Sequence, residues 1–257
     1  MNQRQHLDSP VRQGDVSSPA PTLLVSVKDV NEANIVLGCG ANIVDFKNPR
    51  NGSLGAIDES VLRTFLESVP ELKSLPKLSF AAGELWEAVQ AGLDLNQIYG
   101  STILDRFHYV KVGLAKCQRL DNWRDAWVRF FDGAFFAEPV MVAYVDAAAS
   151  ESPSVGACIE FAAQQSRCHT LLLDTFDKQH DLFKSMTLDQ LRQTVAHSHA
   201  VGLKVMVAGS VTLHNLASVL ASGGDGIGVR GAVCDRSRTG AIVPEKVVEL
   251  SRRINQL

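Results

Sequence analysis

Residues Thr170–Val207 read TLLLDTFDKQHDLFKSMTLDQLRQTVAHSHAVGLKVMV. An apolar run, Thr170–Leu173, leads through a polar loop into a helix-periodic stretch near Leu188–Ala200. After Gly202 a second apolar run follows at Lys204–Val207. Short, nearly continuous apolar runs mark strands covered on both faces. Two of them joined by a helix make one unit of a parallel sheet.

The unit repeats in both directions. Upstream, apolar runs at Thr22–Val27, Ala41–Phe46, Lys77–Ala81, Tyr109–Val112 and Pro139–Val145 each precede a helix-like stretch, near 28–39, 57–69, 83–91, 122–131 and 154–165. Downstream, Lys204–Val207 precedes a helix near 213–221, and Gly226–Val229 precedes one near 244–254. Eight strand–helix pairs predict an α/β fold, the closed (β/α)₈ TIM barrel, and 257 residues suit one such barrel. The competing open, doubly wound sheet lacks its main support, because no GxGxxG follows the first strand. Glycines at 38, 40, 202, 223 and 224 fit helix ends that need a positive φ.

Residues 1–21 are rich in Gln, Ser, Pro and Asp and lack the apolar core of a secretory signal. They are expected to form a flexible tail, with residues 22–257 as the barrel catalytic domain. No apolar run of about 18 residues suggests a membrane span, so a cytoplasmic protein is expected. A net charge of −3 gives no reason to expect nucleic-acid or membrane binding. Five scattered cysteines without CxxC, and seven histidines without HExxH, argue against a disulfide framework or a metal site. A homo-oligomer is compatible with the fold, but no exposed stripe sets a subunit count.

In a barrel, the carboxyl ends of the strands build the active site. Strand two reads Ile43-Val44-Asp45-Phe46-Lys47, and alternation puts Ile43, Asp45 and Lys47 on one face. Strand four carries Lys111 inside an apolar run. Such a lysine must be paired, lie in the wet barrel mouth, or lose its charge. Strand six ends at Asp174, and its loop supplies Lys178. All these groups come from even-numbered strands, which share layers of barrel side chains. A salt bridge at the rim is the structural alternative for each pair. Asp146, ending strand five, either assists or caps a helix, and Lys204 is expected near the amino-terminal face. Clustered lysines suit Schiff-base chemistry: a neighbouring cation and burial lower an amine's pKa, and a carboxylate moves protons.

Ala208-Gly209-Ser210-Val211 and Gly228-Val229-Arg230-Gly231 follow strands seven and eight, where many barrels bind phosphate. Gly209, Ser210 and Gly231 offer backbone N–H groups and Arg230 a charged fork. Two ordinary glycine turns with an exposed Arg230 would be the bland reading.

At these residues the chain resembles the (5-formylfuran-3-yl)methyl phosphate synthase family, also called 4-(hydroxymethyl)-2-furancarboxaldehyde-phosphate synthase. The resemblance runs from about Thr22 nearly to the end. It rests on Leu23–Val27, on Asp45-Phe46-Lys47-Asn48-Pro49 with Gly52-Ser53-Leu54-Gly55-Ala56, on Tyr109–Leu114, and on Asp174-Thr175 with Lys178. It implies a barrel that condenses two glyceraldehyde 3-phosphate molecules into a furan aldehyde phosphate, an early step toward methanofuran-type one-carbon carriers, with no organic cofactor. It further implies Lys47 as the Schiff-base lysine, Lys178 and Asp174 in acid–base steps, Lys111 as the matching strand-four lysine, and Asp45 orienting Lys47. Lys47 and Lys178 are interchangeable at this level. The amino-terminal tail and the segment around Gln118–Arg129 depart from the archaeal pattern and suggest a bacterial-type member. A phosphate-binding class I aldolase or isomerase and a catalytically silent binding barrel are the alternatives.

Overall fold

A computed structural model describes residues 20–69 and 75–256. Eight strands, β1 (Thr22–Val27), β2 (Ile43–Phe46), β3 (Lys77–Glu84), β4 (Tyr109–Gly113), β5 (Glu138–Tyr144), β6 (Thr170–Asp174), β7 (Lys204–Val207) and β8 (Gly226–Val229), close into a barrel in sequence order. Every neighbouring pair is parallel, and β8 pairs with β1 to complete the ring. This is the (β/α)₈ architecture read from the sequence. The expected tail lies, except for its last two residues, outside the described residues.

The helices are α1 (Val30–Leu37), α2 (Glu59–Ser68), α3 (Leu85–Ala91), α4 (Leu95–Tyr99), α5 (Ser101–Leu104), α6 (Trp123–Phe130), α7 (Ala147–Ser150), α8 (Val155–Ala162), α9 (Leu188–Ala200), α10 (Leu216–Leu220) and α11 (Pro244–Asn255). In α9, the Thr187 side chain caps the Gln190 N–H while the Gln190 side chain accepts from Thr187 N–H. The helix buries Leu191 and Val195, and the chain leaves it at Gly202, φ +84°. Gly40 and Gly223 also have positive φ, whereas Gly38, at −93°, and Gly224 do not.

Two apolar layers follow from strand alternation. Val25, Val27, Val44, Phe46, Leu171, Leu173, Val205 and Val207 face outward and pack with helix residues such as Leu62, Phe65, Leu191 and Val195. Leu24, Ile43, Val140, Val142, Tyr144, Leu172 and Met206 form a smaller cluster inside the barrel. Fully burying one Leu or Phe stabilises by about 1.5–3 kcal/mol, so the outer layer carries most of the hydrophobic stabilisation. Above the inner cluster the lining becomes polar.

One boundary departs from the expectation in a way that matters. Strand β3 does not stop at Ala81 but continues to Glu84, with a register shift against β4 between Ala81 and Glu84. Gly83 sits in this irregular stretch at φ +89°, a conformation that other residues adopt only at a cost. A bulge of this kind re-aims the side chain that follows it.

Candidate active site

The carboxyl ends of β1, β2, β4, β6, β7 and β8 surround a cavity of about 380 Å³. Its lining includes Asp45, Lys47, Lys111, Asp174, Lys178, Gly209, Ser210, Arg230, Gly231 and Arg238. Every residue expected from sequence to act there is thus brought to one cavity.

Lys111 and Asp45 form an ion pair in which both side chains are almost fully buried. The Ser26 hydroxyl donates to the other Asp45 oxygen at 2.9 Å. Of the three outcomes open to a lysine inside a strand, Lys111 takes the paired one. Breaking such a pair from one side costs about 3–5 kcal/mol, so the pair holds a fixed orientation on the cavity floor.

The second pair joins Lys178 to Asp174 at 2.5 Å. Asp174 is held further by the Ser53 hydroxyl at 2.8 Å and by its neighbour's N–H, Thr175, at 2.8 Å. Although burial alone would raise its pKa, the Lys178 and Lys47 charges and the hydrogen bonds from Lys178 and Ser53 bring it below its ordinary value. Lys178 is drawn below its ordinary value by burial, against the pull of Asp174. The loop carrying Lys178 is anchored by Asp146, whose two carboxylate oxygens accept the Phe176 and Asp177 N–H groups at 2.8 Å each. Asp146 makes no side-chain cap on α7; its carboxylate is taken up by this loop.

Lys47 differs from both paired lysines. Its Nζ makes no hydrogen bond or ion pair among the described residues. It lies close enough to feel Asp174, Lys178, Asp45 and Lys111, and its pKa falls to about 8, chiefly through burial, with Asp174 opposing and Lys178 adding to the fall. An amine of this kind is neutral often enough near physiological pH to act as a nucleophile.

At the opposite wall, Gly209 (φ +97°) and Ser210 (φ +52°) turn the chain after β7. A Cβ at Gly209 would lie 2.9 Å from the Thr175 methyl group. The turn is braced by Leu182 N–H donating to Gly209 O and by Asn215 bridging to Asp181. After β8, a short 3₁₀ turn spans Gly231–Val233. The N–H groups of Gly209, Ser210, Gly231 and Ala232 have no acceptor among the described residues and line the cavity, an arrangement suited to an anion.

Arg230 corrects the sequence reading. Its guanidinium is buried and all five donors are occupied: Nη1 by Ser26 O and Glu32, Nη2 by Glu32 and Gly240 O, and Nε by Arg238 O. It has no donor left for a phosphate and acts as a clamp between β8, β1 and α1. Arg238, eight residues on, occupies the expected position of the free cation. It lines the cavity, reaches Gly52 O at 2.9 Å, and is drawn below its ordinary pKa by burial, against the pull of Asp174. Sequence reasoning missed Arg238, which lines the cavity, and Ser53, which holds Asp174. The Arg236-Ser237-Arg238 run was the available signal for the first.

Lys204 lies at the other, amino-terminal end, lining a separate cavity with Lys77 and Tyr109. Among the described residues no three His, Cys, Asp or Glu side chains are grouped to hold a metal ion, and no helix is long and apolar enough to cross a membrane.

Comparison with known proteins adds a family. A family model described as 4-HFC-P synthase matches residues 23–251. A curated (5-formylfuran-3-yl)methyl phosphate synthase of Methanococcus maripaludis is 33% identical over 237 residues, covering 89% of this chain and 97% of the relative. The protein of the same name from Methanopyrus kandleri is 30% identical, covering 91% and 99%. Among solved structures, a phosphoribosylanthranilate isomerase of Pyrococcus furiosus aligns with a TM-score of 0.52 at 17% identity, covering 92% of this chain and all of that one. A thiamine phosphate pyrophosphorylase from the same organism gives 0.54 at 15%, covering 92% and 96%. At these identities the structural likeness concerns the barrel alone.

Proposed function

The chain belongs to the 4-HFC-P synthase family, and on that premise we propose that it condenses two glyceraldehyde 3-phosphate molecules into (5-formylfuran-3-yl)methyl phosphate, releasing inorganic phosphate and water, through a Schiff base on Lys47. The product would feed a methanofuran-type one-carbon carrier. The observation that carries this reading is the contrast among the lysines: Lys111 and Lys178 each have a carboxylate partner, while Lys47 has none among the described residues and a pKa of about 8.

The neutral Lys47 amine attacks the aldehyde carbon of one triose, and loss of water gives the imine. The imine acts as an electron sink for a carbanion of the bound triose, and that carbanion forms the new carbon–carbon bond to the second triose before hydrolysis of the imine frees Lys47. Lys178, held by Asp174, is placed to give a proton to a departing oxygen, and Asp174 to receive one from carbon. The Lys111–Asp45 pair keeps a fixed charge arrangement beneath the reacting atoms. The unpartnered N–H groups at Gly209, Ser210 and Gly231, with Arg238, take a substrate phosphate.

Incubation with glyceraldehyde 3-phosphate tests the proposal. Expected are a furan aldehyde phosphate by mass spectrometry, release of inorganic phosphate, and a borohydride-fixed adduct on Lys47. Reversible aldol products without the furan chromophore would favour a class I aldolase instead.

A further inference from the structure

The barrel holds a second interior space, at its amino-terminal mouth. A cavity of about 470 Å³ lies there, walled by Leu24, Ile43, Val140, Leu172 and Met206. Barrel interiors are ordinarily filled by layers of side chains. Here β3 contributes only the hydroxymethyl group of Ser79, and β8 the bare backbone of Gly226, where a Cβ would lie 2.7 Å from Met206 Sδ. Leu24, Lys111 and Leu172 line both this cavity and the one that holds Lys47, so they form the partition between the two.

Its polar groups are few and converge. Lys77 and Lys204, the first residues of β3 and β7, stand at the rim. Lys77 Nζ donates to the Tyr109 hydroxyl at 2.9 Å and lies 5.2 Å from the centre of that ring. Lys204 Nζ makes no hydrogen bond or ion pair among the described residues, although it lines the same rim. Among those residues the one carboxylate in the lining is Asp225, and its Oδ2 is taken by the Val205 N–H at 2.7 Å and the His199 ring at 2.8 Å. The rim is therefore cationic. Deeper in, Ser79 is 1% exposed, and its Oγ has no hydrogen-bond partner among the described residues. A buried hydroxyl left unpaired costs free energy, and in a cavity wall it calls for a partner from the cavity itself. Ligand pockets run from about 300 to 1,000 Å³ and are mostly apolar with a few placed polar groups, which is the form of this one.

We propose that the amino-terminal cavity is a second ligand site, which takes a small organic anion with an apolar body and a hydrogen-bond acceptor at its far end. The anionic head lies between Lys77 and Lys204, the body packs along the apolar wall, and the acceptor receives the Ser79 hydroxyl proton. The bound molecule touches the partition on the side away from Lys47. The inference goes beyond the synthase reading and does not depend on it, since binding is measured without turnover.

The test is calorimetric titration of the full chain with 4-nitrophenyl phosphate, which carries an anionic head, an apolar ring and an acceptor at the opposite end. Phenyl phosphate lacks the acceptor, and inorganic phosphate lacks the body. Because a phosphate also fits the N–H groups of the Lys47 cavity, the titrations are repeated in an Arg238→Ala background. There one site for 4-nitrophenyl phosphate should persist at the parent's affinity, and adding Lys204→Met or Lys77→Met should weaken it about tenfold or more through loss of a charge-assisted contact. Both lysines are exposed, so these variants should keep the parent's Tm. Ser79→Ala should weaken 4-nitrophenyl phosphate about threefold, to the affinity of phenyl phosphate, and leave phenyl phosphate unchanged. Inorganic phosphate should bind about tenfold more weakly than either ring compound.

Absence of binding, loss of all binding with Arg238→Ala, or an affinity indifferent to both lysine variants would overturn the site. Inorganic phosphate binding as tightly as the ring compounds would overturn the apolar body. Glyceraldehyde 3-phosphate enters none of these titrations, so a protein that makes no furan product still gives a decisive result here.

Discussion

Lys47 is predicted to form its substrate adduct with a half-maximum near pH 8. The magnitude follows from its surroundings. With a pKa of about 8, roughly one-tenth of the side chain is neutral at pH 7, against about 0.03% for an ordinary lysine at 10.5, a gain of about 300-fold in reactive amine. The protein is mixed briefly with glyceraldehyde 3-phosphate, quenched with borohydride at a series of pH values, and the Lys47 peptide is quantified by mass spectrometry. The initial rate should rise about tenfold from pH 6 to pH 7 and level off by about pH 9. Neighbouring charges give the signs of two controls. Lys178→Gln removes a cation that lowers the Lys47 pKa, so the midpoint should move up. Asp174→Asn removes the carboxylate that raises it most, so the midpoint should move down. A midpoint near 10, or an adduct on Lys178 in place of Lys47, would refute the assignment of the free lysine as nucleophile.

The two arginines after β8 should separate stability from binding. Arg230→Ala leaves the buried Glu32 with only Lys28 as a partner and should cost about 3 kcal/mol, seen as a fall in Tm, whereas Arg238→Ala should leave Tm nearly unchanged and raise KM for the phosphorylated substrate about tenfold or more. Gly209→Ala forces a side chain into a φ of +97° and onto Thr175, and should cost about 1–3 kcal/mol in thermal unfolding along with weaker substrate binding. Asp146→Ala frees two N–H groups in the loop before Lys178, and should lower kcat about tenfold while Lys47 trapping persists. Loss of trapping in that variant would mean that Asp146 supports more than the Lys178 loop.

The barrel was legible because parallel strands buried on two faces read as apolar runs, as Leu171–Leu173 and Val205–Val207 do. Lys47, Lys111 and Asp174 were legible for the opposite reason: charge at strand ends stands out against such runs. What escaped reading depended on three-dimensional detail. Glu84 follows a glycine and precedes Leu85 and Trp86, which resembles a helix start, and only the register shift in β3 turns it inward. Arg230 and Arg238 are chemically identical, and Glu32, 198 residues before Arg230, decides which one is fully occupied. Ser53 reads as a turn residue, yet it is buried against Asp174, 121 residues away.

That separation between Glu32 and Arg230 has a consequence for how the molecule is made. Glu32 leaves the ribosome early, and its partner follows only when β8 has been synthesised. Until then the carboxylate has only Lys28 and water as partners, and β1 must remain an unpaired edge on the side that β8 will occupy. The clamp is therefore a completion latch. Chains cut short before residue 230 should be soft at the β1 side and readily cleaved there, and resistance to protease should arrive abruptly as the last strand joins the first.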